Sequence, residues 1–277
     1  KSFFSEYGFI VQNGFMKAFK GQWGSKEYTS KEGIVQDLNR LSYNSALSHC
    51  RKLNLPLSST AKVVAPRLLH GSQWGFIDPV DTPDGGHIGL HKHLAISTTI
   101  SDSTPLIEMV KWVLNNTNVI ILTKCSLLLC DSETKVFING SWICMSKDPY
   151  ELLNKFNVYK RNGLVPLLST ISFNIKDNLI EIFCDSGRLT RPIFYINNNL
   201  PSYYKILDKI NKNKFTWKDI ISGFIKKNFD TINYTNIYNI DELYKDTVTF
   251  DHLIKYQGII DFIDASVMNN ALININD

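Results

Sequence analysis

Residues 66–101 read PRLLHGSQWGFIDPVDTPDGGHIGLHKHLAISTTIS, and the reading of this stretch decides where the rest of the chain is placed. Pro66, Pro79 and Pro83 each fix φ and remove a backbone donor. Thr82-Pro83 leads into Asp84-Gly85, a strong turn signal, and Gly85 and Gly89 stand where the chain must bend tightly. Arg67, His70, Gln73, Asp78, Asp81, Asp84 and His87 are set between these fixed points. A loop this stiff, with ionisable groups along it, is a positioning loop rather than a spacer. Asp84 precedes a glycine, so its carboxylate is expected to accept nearby backbone N–H groups in an Asx turn. From Ile88 to Ile100 the pattern alternates, with Ile88, Leu90, Lys92, Leu94 and Ile96 on one face, which predicts a strand. Lys92 interrupts that face, either at a frayed start or as a buried cation needing a partner.

The order R-x-L-H-x-S-x-W-G, then P-x-D-T-P-D-G, then G-L-x-K-x-L-A closely resembles the fork region of the second-largest subunit of multisubunit DNA-directed RNA polymerases, of eukaryotic or large-DNA-virus type. The family form carries P-x-E-T-P-E-G and G-L-x-K-N-L at the corresponding places. Here Asp81 and Asp84 stand for the two glutamates and His93 for the asparagine, so each carboxylate is one methylene shorter.

Working back from this stretch, Phe3, Phe4, Phe9, Ile10, Phe15, Met16 and Phe19 predict a short buried helix or two. Gly21-Gln22-Trp23-Gly24 breaks that pattern and opens a polar loop to Thr29. Ser30 is a candidate cap for a helix from about Lys31 to Lys52, striped by Ile34, Leu38, Leu41 and Tyr43. Its basic end, Ser48-His49-Cys50-Arg51-Lys52, suits a helix C-terminus. The same residues resemble the family's L-x-H-x-R-R segment, whose His and basic residues line the RNA path. Residues 57–65, LSSTAKVVA, match in length and place a flexible family loop at the downstream edge of the transcription bubble.

Working forward, Pro105 to Asn116 predicts a helix with Ile107, Val110 and Leu114 inward. From Val119 the pattern turns to strands, VIILTKCSLLLC and then VFINGSWICM with an Asn139-Gly140 hairpin turn. Asp148-Pro149 starts a helix by cap and first-turn proline, and Asn162-Gly163 ends it. TISFNI and LIEIFC flank a turn at Lys176-Asp177-Asn178, and Asp185-Ser186-Gly187-Arg188 leads into RLTRPIFYI. V-F-I-N-G-x-W and D-x-G-R-x-x-R-P resemble the external, β-rich region of the same subunit. Two amphipathic helices are expected between Tyr203 and Asp230. FDHLIKYQGIIDFIDA resembles the helix-turn-strand, G-x-x-x-[YF]-[IL]-D-A, that begins the next external portion.

The same residues also admit other chemistries. Asp78, Asp81 and Asp84 at spacing three suggest a carboxylate cluster, but Pro79 and Pro83 keep the run from being helical and its carboxylates from converging. His87, His91 and His93 are the better metal candidate, since H-x-H places two imidazoles on one strand face. They define one alternative, a metal-dependent β-barrel enzyme; a purely structural interaction module is the other. No G-x-S-x-G elbow and no phosphate-binding loop signature is present.

At 277 residues with 44% apolar content the chain is long enough for one large or two to three small domains with a real core. The net charge is only +4, too weak for a blanket nucleic-acid coat, so any such contact is local. Five cysteines without C-x-x-C spacing suggest reduced buried thiols in an intracellular, nuclear or cytoplasmic protein. No apolar run approaches the ~18 residues of a membrane helix, so no membrane partner is expected. The chain begins at Lys1 and is read as a piece of a longer polypeptide.

The resemblance implies an α+β protein, with a mixed helical/β fork region followed by a β-rich external region with short helices. Residues 1–35 would be the end of the lobe leading into the fork, 36–104 the fork, 105–200 the external β-rich domain, and 201–277 a helical segment and the start of the next external portion. By carry-over, Arg51, Lys52 and Arg67 would contact backbone phosphates, His49 and Asp84 would line the RNA path, and Lys62 would sit on the mobile loop. Pro79, Asp81, Pro83, Gly85 and Gly89 would shape the wall. The implied partners are the largest and other polymerase subunits, template DNA and nascent RNA. In the family the catalytic Mg²⁺ is bound elsewhere, by the largest subunit, so this chain alone is expected to hold no cofactor and not to polymerise.

Overall fold

The computed structural model describes residues 3–19, 36–55, 57–60, 62–125, 132–197, 199–204, 207, 215–228, 232–245 and 247–272. It divides into two compact units, Lys1–Ile96 and Ser97–Asp277. The expected loop at 22–29 and the Ser30 cap lie outside the described residues, as does Cys130.

In the first unit, α1 (Phe3–Phe19) is a single helix. Its side chains from Tyr7 onward are almost all exposed, Phe15 to 61%, so the burial expected of this segment is not found among the described residues. The helix expected to run to Lys52 is confined to α2, Tyr43–Cys50. Local polar chemistry explains the late start. Asn39 Oδ1 accepts from Leu41 N at 2.9 Å, and Ser42, in extended conformation, caps the helix by accepting from Ser45 N at 3.1 Å. Lys52 is then not helical at all. It opens β1 (Lys52–Asn54), which pairs antiparallel with β2 (His91–His93).

The strand expected from Ile88 to Ile100 is likewise shorter, because Gly89 takes φ +71° just before it. Leu90 and Leu94 are buried with Phe76, whereas Ile88 and Ile96 are exposed. Lys92 is half-buried and donates from Nζ to Pro66 O at 3.1 Å, which supplies the partner a buried cation needs.

Among the described residues the second unit holds two larger sheets and a short antiparallel pair, Ile196–Asn197 with Leu200–Pro201. β3 (Thr99–Ile100) comes first, then α3 (Leu106–Asn116), β4 (Val119–Ile121), β5 (Thr134–Ile138), β6 (Ser141–Ser146) and α4 (Pro149–Arg161). β7 (Thr170–Asn174), β8 (Leu179–Phe183), β9 (Leu189–Phe194), α5 (Trp217–Ser222), α6 (Ile240–Leu243), α7 (Phe250–Lys255), β10 (Ile260–Asp264) and α8 (Ala265–Asn270) follow. The larger sheet has the order β4-β6-β5-β8-β7, antiparallel except between β5 and β8. The smaller places β9 between β10 and β3.

Local signals set several elements here. Asn139 and Gly140 both take positive φ, 47° and 79°, as a two-residue hairpin requires. Asp148 Oδ1 accepts from Tyr150 N and Glu151 N, with Pro149 in the first turn, and Gly163 at φ +77° follows the last turn. The buried side of α3 differs from the expected stripe. Met109, Trp112 and Val113 are buried, Val110 and Leu114 only partly, and Ile107 faces solvent. The helix turns its largest side chain inward, where Trp112 meets Phe156 and Tyr159 edge-on at 5.6 and 5.3 Å. Of the two helices expected between Tyr203 and Asp230, α5 is opened by a Thr216–Asp219 capping box; the other falls largely outside the described residues, of which Leu207 is helical.

The motif glycines and acids of the C-terminal portion have structural work. A Cβ at Gly258 would lie 2.4 Å from Ile221 O, so only glycine lets these segments meet. Asp261 sits between Lys160 (2.6 Å) and Arg161 (2.8 Å) with all three side chains largely buried. Burial would raise its pKa, but these two cations and their hydrogen bonds hold the carboxyl below the ordinary carboxylate range. Among the described residues no helix is long and apolar enough to cross a membrane, and the four described cysteines are unpaired, Cys50 exposed rather than buried.

Candidate functional site

The first unit gathers the sequence-predicted site residues around the β1–β2 pair, but divides them into two groups. Lys52, Asn54 and His91 line a groove of about 520 Å³ together with His49, Cys50, Gln36 and Leu38. The pairing Lys52↔His93, Leu53↔Lys92, Asn54↔His91 places these side chains across neighbouring strands. His49 stands at the last turn of α2. Its Nδ1 accepts from Asn39 N at 3.1 Å, which assigns the proton to Nε2, 3.0 Å from Gln36 Oε1. These two contacts orient the imidazole at the groove wall. Lys52 is exposed there as the groove's ammonium. The sequence missed Gln36, Asn54 and His91 as members of this groove. The β1–β2 register was the missing signal, and no local pattern carries it.

The second group is inward-looking. Arg67 Nη1 donates to Gly86 O (2.7 Å) and Ile88 O (2.9 Å), Nη2 to Ser59 O (3.1 Å) and Nε to Val63 O (3.2 Å). One guanidinium thus ties Ser59 and Val63 to the turn at Gly86 and Ile88. Gly89 packs directly on the Arg67 backbone: a Cβ there would lie 2.4 Å from Arg67 O, and φ is +71° as well. Thr82 Oγ1 donates to His91 O (2.8 Å) and accepts from Gly89 N (2.9 Å), closing the proline-bounded turn onto β2. Arg51 donates through Nη2 to Ala95 O at 2.5 Å. Both arginines expected at phosphates are thus engaged with backbone carbonyls.

The acids are placed differently from expectation. Asp84 is exposed and makes no capping hydrogen bond to the single 3₁₀ turn that it precedes, Gly85–His87. The Asx turn belongs to Asp78, whose Oδ1 accepts from Val80 N (2.9 Å) and Asp81 N (3.2 Å). Those two N–H groups hold the Asp78 carboxyl below its ordinary pKa. Asp81 pairs with His93, Oδ2 to Nδ1 at 3.1 Å, and the same nitrogen donates to Asp81 O at 3.1 Å. Pro83 is half-buried, and Pro79 and Lys62 are exposed.

The histidines do not converge as a metal centre. The His87 and His91 rings lie 5.1 Å apart and tilted by 32°, while His93 is taken by Asp81. Among the described residues no group of three His, Cys, Asp or Glu side chains could hold a metal ion. The metal-enzyme alternative loses its support among the described residues.

Imidazoles, an ammonium and two amide side chains thus line one open groove. The family model described as RNA polymerase Rpb2, domain 3, matches residues 36–100, and that described as RNA polymerase Rpb2, domain 4, matches residues 136–197. The chain is a homologue of the second-largest-subunit (Rpb2) family of RNA polymerases. It is 32% identical over 225 residues to DNA-directed RNA polymerase II subunit RPB2 of Encephalitozoon cuniculi, covering 78% of this chain and 19% of that protein. Subunit RPB2 of Meyerozyma guilliermondii is 29% identical over 255 residues, 91% of this chain and 20% of its own. RNA polymerase II subunit 2 of Arabidopsis thaliana is 35% identical over 183 residues, 64% and 15%. The chain spans about a fifth of the length of the curated relatives it matches first.

Proposed function

We propose that this chain is the fork and external portion of the second-largest subunit of a multisubunit DNA-directed RNA polymerase of eukaryotic or large-DNA-virus type. In that role it lines the active-centre cleft, holds the RNA–DNA hybrid and supports the downstream edge of the bubble, in company with the largest subunit. The observation that carries the reading is the groove in which Lys52, His49, Asn54 and His91 meet, within the segment matched by the Rpb2 domain 3 model. Nucleotidyl transfer belongs to the assembled enzyme, with Mg²⁺ bound outside this chain.

In this assignment Lys52 supplies the charge at a phosphate, Asn54 supplies hydrogen bonds, and His49 lines the path as part of the groove wall. Arg51 and Arg67 act as braces that position the wall. Lys52→Glu in the assembled polymerase should lower the salt concentration at which halted elongation complexes fall apart, since one phosphate contact is lost and a repulsion gained. Lys176→Glu, on an exposed turn of the second unit, serves as the control. Equal salt tolerance of wild type and Lys52→Glu would contradict the reading.

A further inference from the structure

The proline-bounded loop from Asp78 to Asp84 is fastened to β2 at three points, of which one joins ionisable side chains. Asp78 N donates to His93 O at 2.8 Å, and Thr82 Oγ1 donates to His91 O at 2.8 Å. Between them, His93 Nδ1 lies 3.1 Å from Asp81 Oδ2 and 3.1 Å from Asp81 O. Both oxygens are acceptors, so Nδ1 keeps its proton in either charge state and the ring titrates at Nε2. The His93 side chain is 13% exposed and that of Asp81 55%. The imidazole is the seated member of the pair, and the loop carboxylate comes to it.

Charged groups reach this ring from several elements. On the loop, Asp78 stands with Asp81; the N–H groups of Val80 and Asp81 first, and His93 last, hold the Asp78 carboxyl below its ordinary range. On β1, Lys52 is the partner directly opposite His93, and Arg51 before it directs Nη2 to Ala95 O. Arg67 and Lys92 line a small cavity with Asp78 and Asp81, and both donate to backbone carbonyls. Along β2, His91 lies beside the His87 ring. A positive ring at His93 is attracted by the two carboxylates, which belong to the loop, and repelled by Lys52, which does not. A proton gained there therefore acts on the loop in particular.

We propose that His93 is a positioning residue that latches the Asp78–Asp84 loop to β2 through Asp81, and that a second proton on its ring tightens the latch. With a neutral ring, Nδ1–H gives Asp81 an ordinary hydrogen bond. With a charged ring the same contact becomes an ion pair with a charge-assisted hydrogen bond, roughly twice as strong. Asparagine, which the related motif carries at this place, also presents a nitrogen donor at the δ position but has no second proton to gain. The histidine of this chain thus keeps the anchor and adds a response to pH. The loop it holds carries Asp84 exposed at its far end, so the latch sets how firmly that carboxylate is presented.

Amide hydrogen exchange of the whole 277-residue chain, followed by NMR, tests this. The reporters are Asp78 N–H, bonded to His93 O, and Gly89 N–H, bonded to Thr82 Oγ1. Their protection, corrected for the intrinsic exchange rate at each pH, should rise about three- to fivefold from about pH 8 to pH 5.5. The rise should share its midpoint with the His93 ring resonances. Leu55 N–H, bonded to Leu90 O just past β1, should not follow. In His93→Asn the protection at pH 8 should persist and the rise should vanish, whereas His93→Leu should lower protection at both ends of the range. The wild-type series needs no variant to fold. Constant protection across the range, or an equal rise at Leu55, would overturn the proposal. So would a rise that survives in His93→Asn, or a loss of the pH 8 protection in that variant.

Discussion

Arg188 Nη1 donates to Asp264 Oδ2 at 2.8 Å, although the two residues stand 76 positions apart. The same guanidinium reaches Asp185 Oδ1 (2.7 Å), Thr170 Oγ1 (2.9 Å), Leu168 O (3.0 Å) and Phe183 O (3.1 Å). Asp264 in turn caps α8 by accepting from Val267 N at 3.0 Å. The D-x-G-R turn and the closing D-A of the last motif are thereby one device, clamping the edge of the large sheet to the end of β10.

Arg188→Ala should therefore destabilise the second unit by about 3–5 kcal/mol, the usual cost of leaving a buried charge without its partner. Arg188→Lys should recover little, because an ammonium cannot serve five acceptors arranged for a planar fork. Urea unfolding of the chain measures both. A loss below about 1 kcal/mol for Arg188→Ala would show that the network is decorative.

Gly85 and Gly89 both have positive φ, 75° and 71°, yet their surroundings differ. A Cβ at Gly85 meets nothing within 4 Å, whereas at Gly89 it meets Arg67 backbone atoms at 2.4 to 2.8 Å. Gly85→Ala should cost about 1–2 kcal/mol of backbone strain. Gly89→Ala should cost clearly more and release the Arg67 brace, read as faster amide hydrogen exchange at residues 86–92.

Asp78 and Asp84 should also separate. Asp78→Ala removes an acceptor for two N–H groups and should cost about 1–2 kcal/mol, while Asp84→Ala stays within about 0.5 kcal/mol. The Asp78 carboxyl is held below its ordinary pKa. Its contribution is thus complete above the unfolded pKa and fades as pH falls through the lower folded one. Asp78→Asn should flatten that acid limb of the stability curve.

Lys227 gives the alkaline counterpart. Burial first, and Lys218 second, push its ammonium down to about 7 from an ordinary 10.5, while its Nζ lies on Ser222 O and Oγ. Between those two values the unfolded chain binds the extra proton, so stability should rise with pH across this window. Cys144 and Tyr195, both pushed up to about 12 by burial, act in the opposite sense. They cancel when the wild type is compared with Lys227→Met. Denaturant midpoints at pH 7, 8.5 and 10 should show the wild type gaining on the variant; a constant difference would refute it.

Much of the fold was legible because its signals are local. Asn139-Gly140, Asp148-Pro149 and Asn162-Gly163 each act within a few residues, and each forms as expected. The motif of residues 66–101 was enough to indicate the family. What could not be read is what distant residues do to one another. The sequence shows Arg67 as a cation, but only the return of the chain at Gly86 and Ile88 turns it into a brace. His91 looked like a metal ligand because of its H-x-H spacing. Pairing with Asn54 instead places it on the groove wall with Lys52. The helix expected to run to Lys52 was overextended because an apolar stripe outweighed the Asn39 and Ser42 hydrogen bonds that delay its start.

The central claim, that the groove at Lys52 faces nucleic acid, is tested most directly by crosslinking. Halted elongation complexes of the polymerase containing this subunit would be assembled on RNA carrying 4-thiouridine within the hybrid. They would then be irradiated, digested and analysed by mass spectrometry. The prediction is RNA adducts on the peptide containing His49, Cys50, Lys52 and Asn54, lost when Lys52 is replaced by Glu. Adducts elsewhere in the enzyme with none on this peptide, at any 4-thiouridine position along the hybrid, would contradict it.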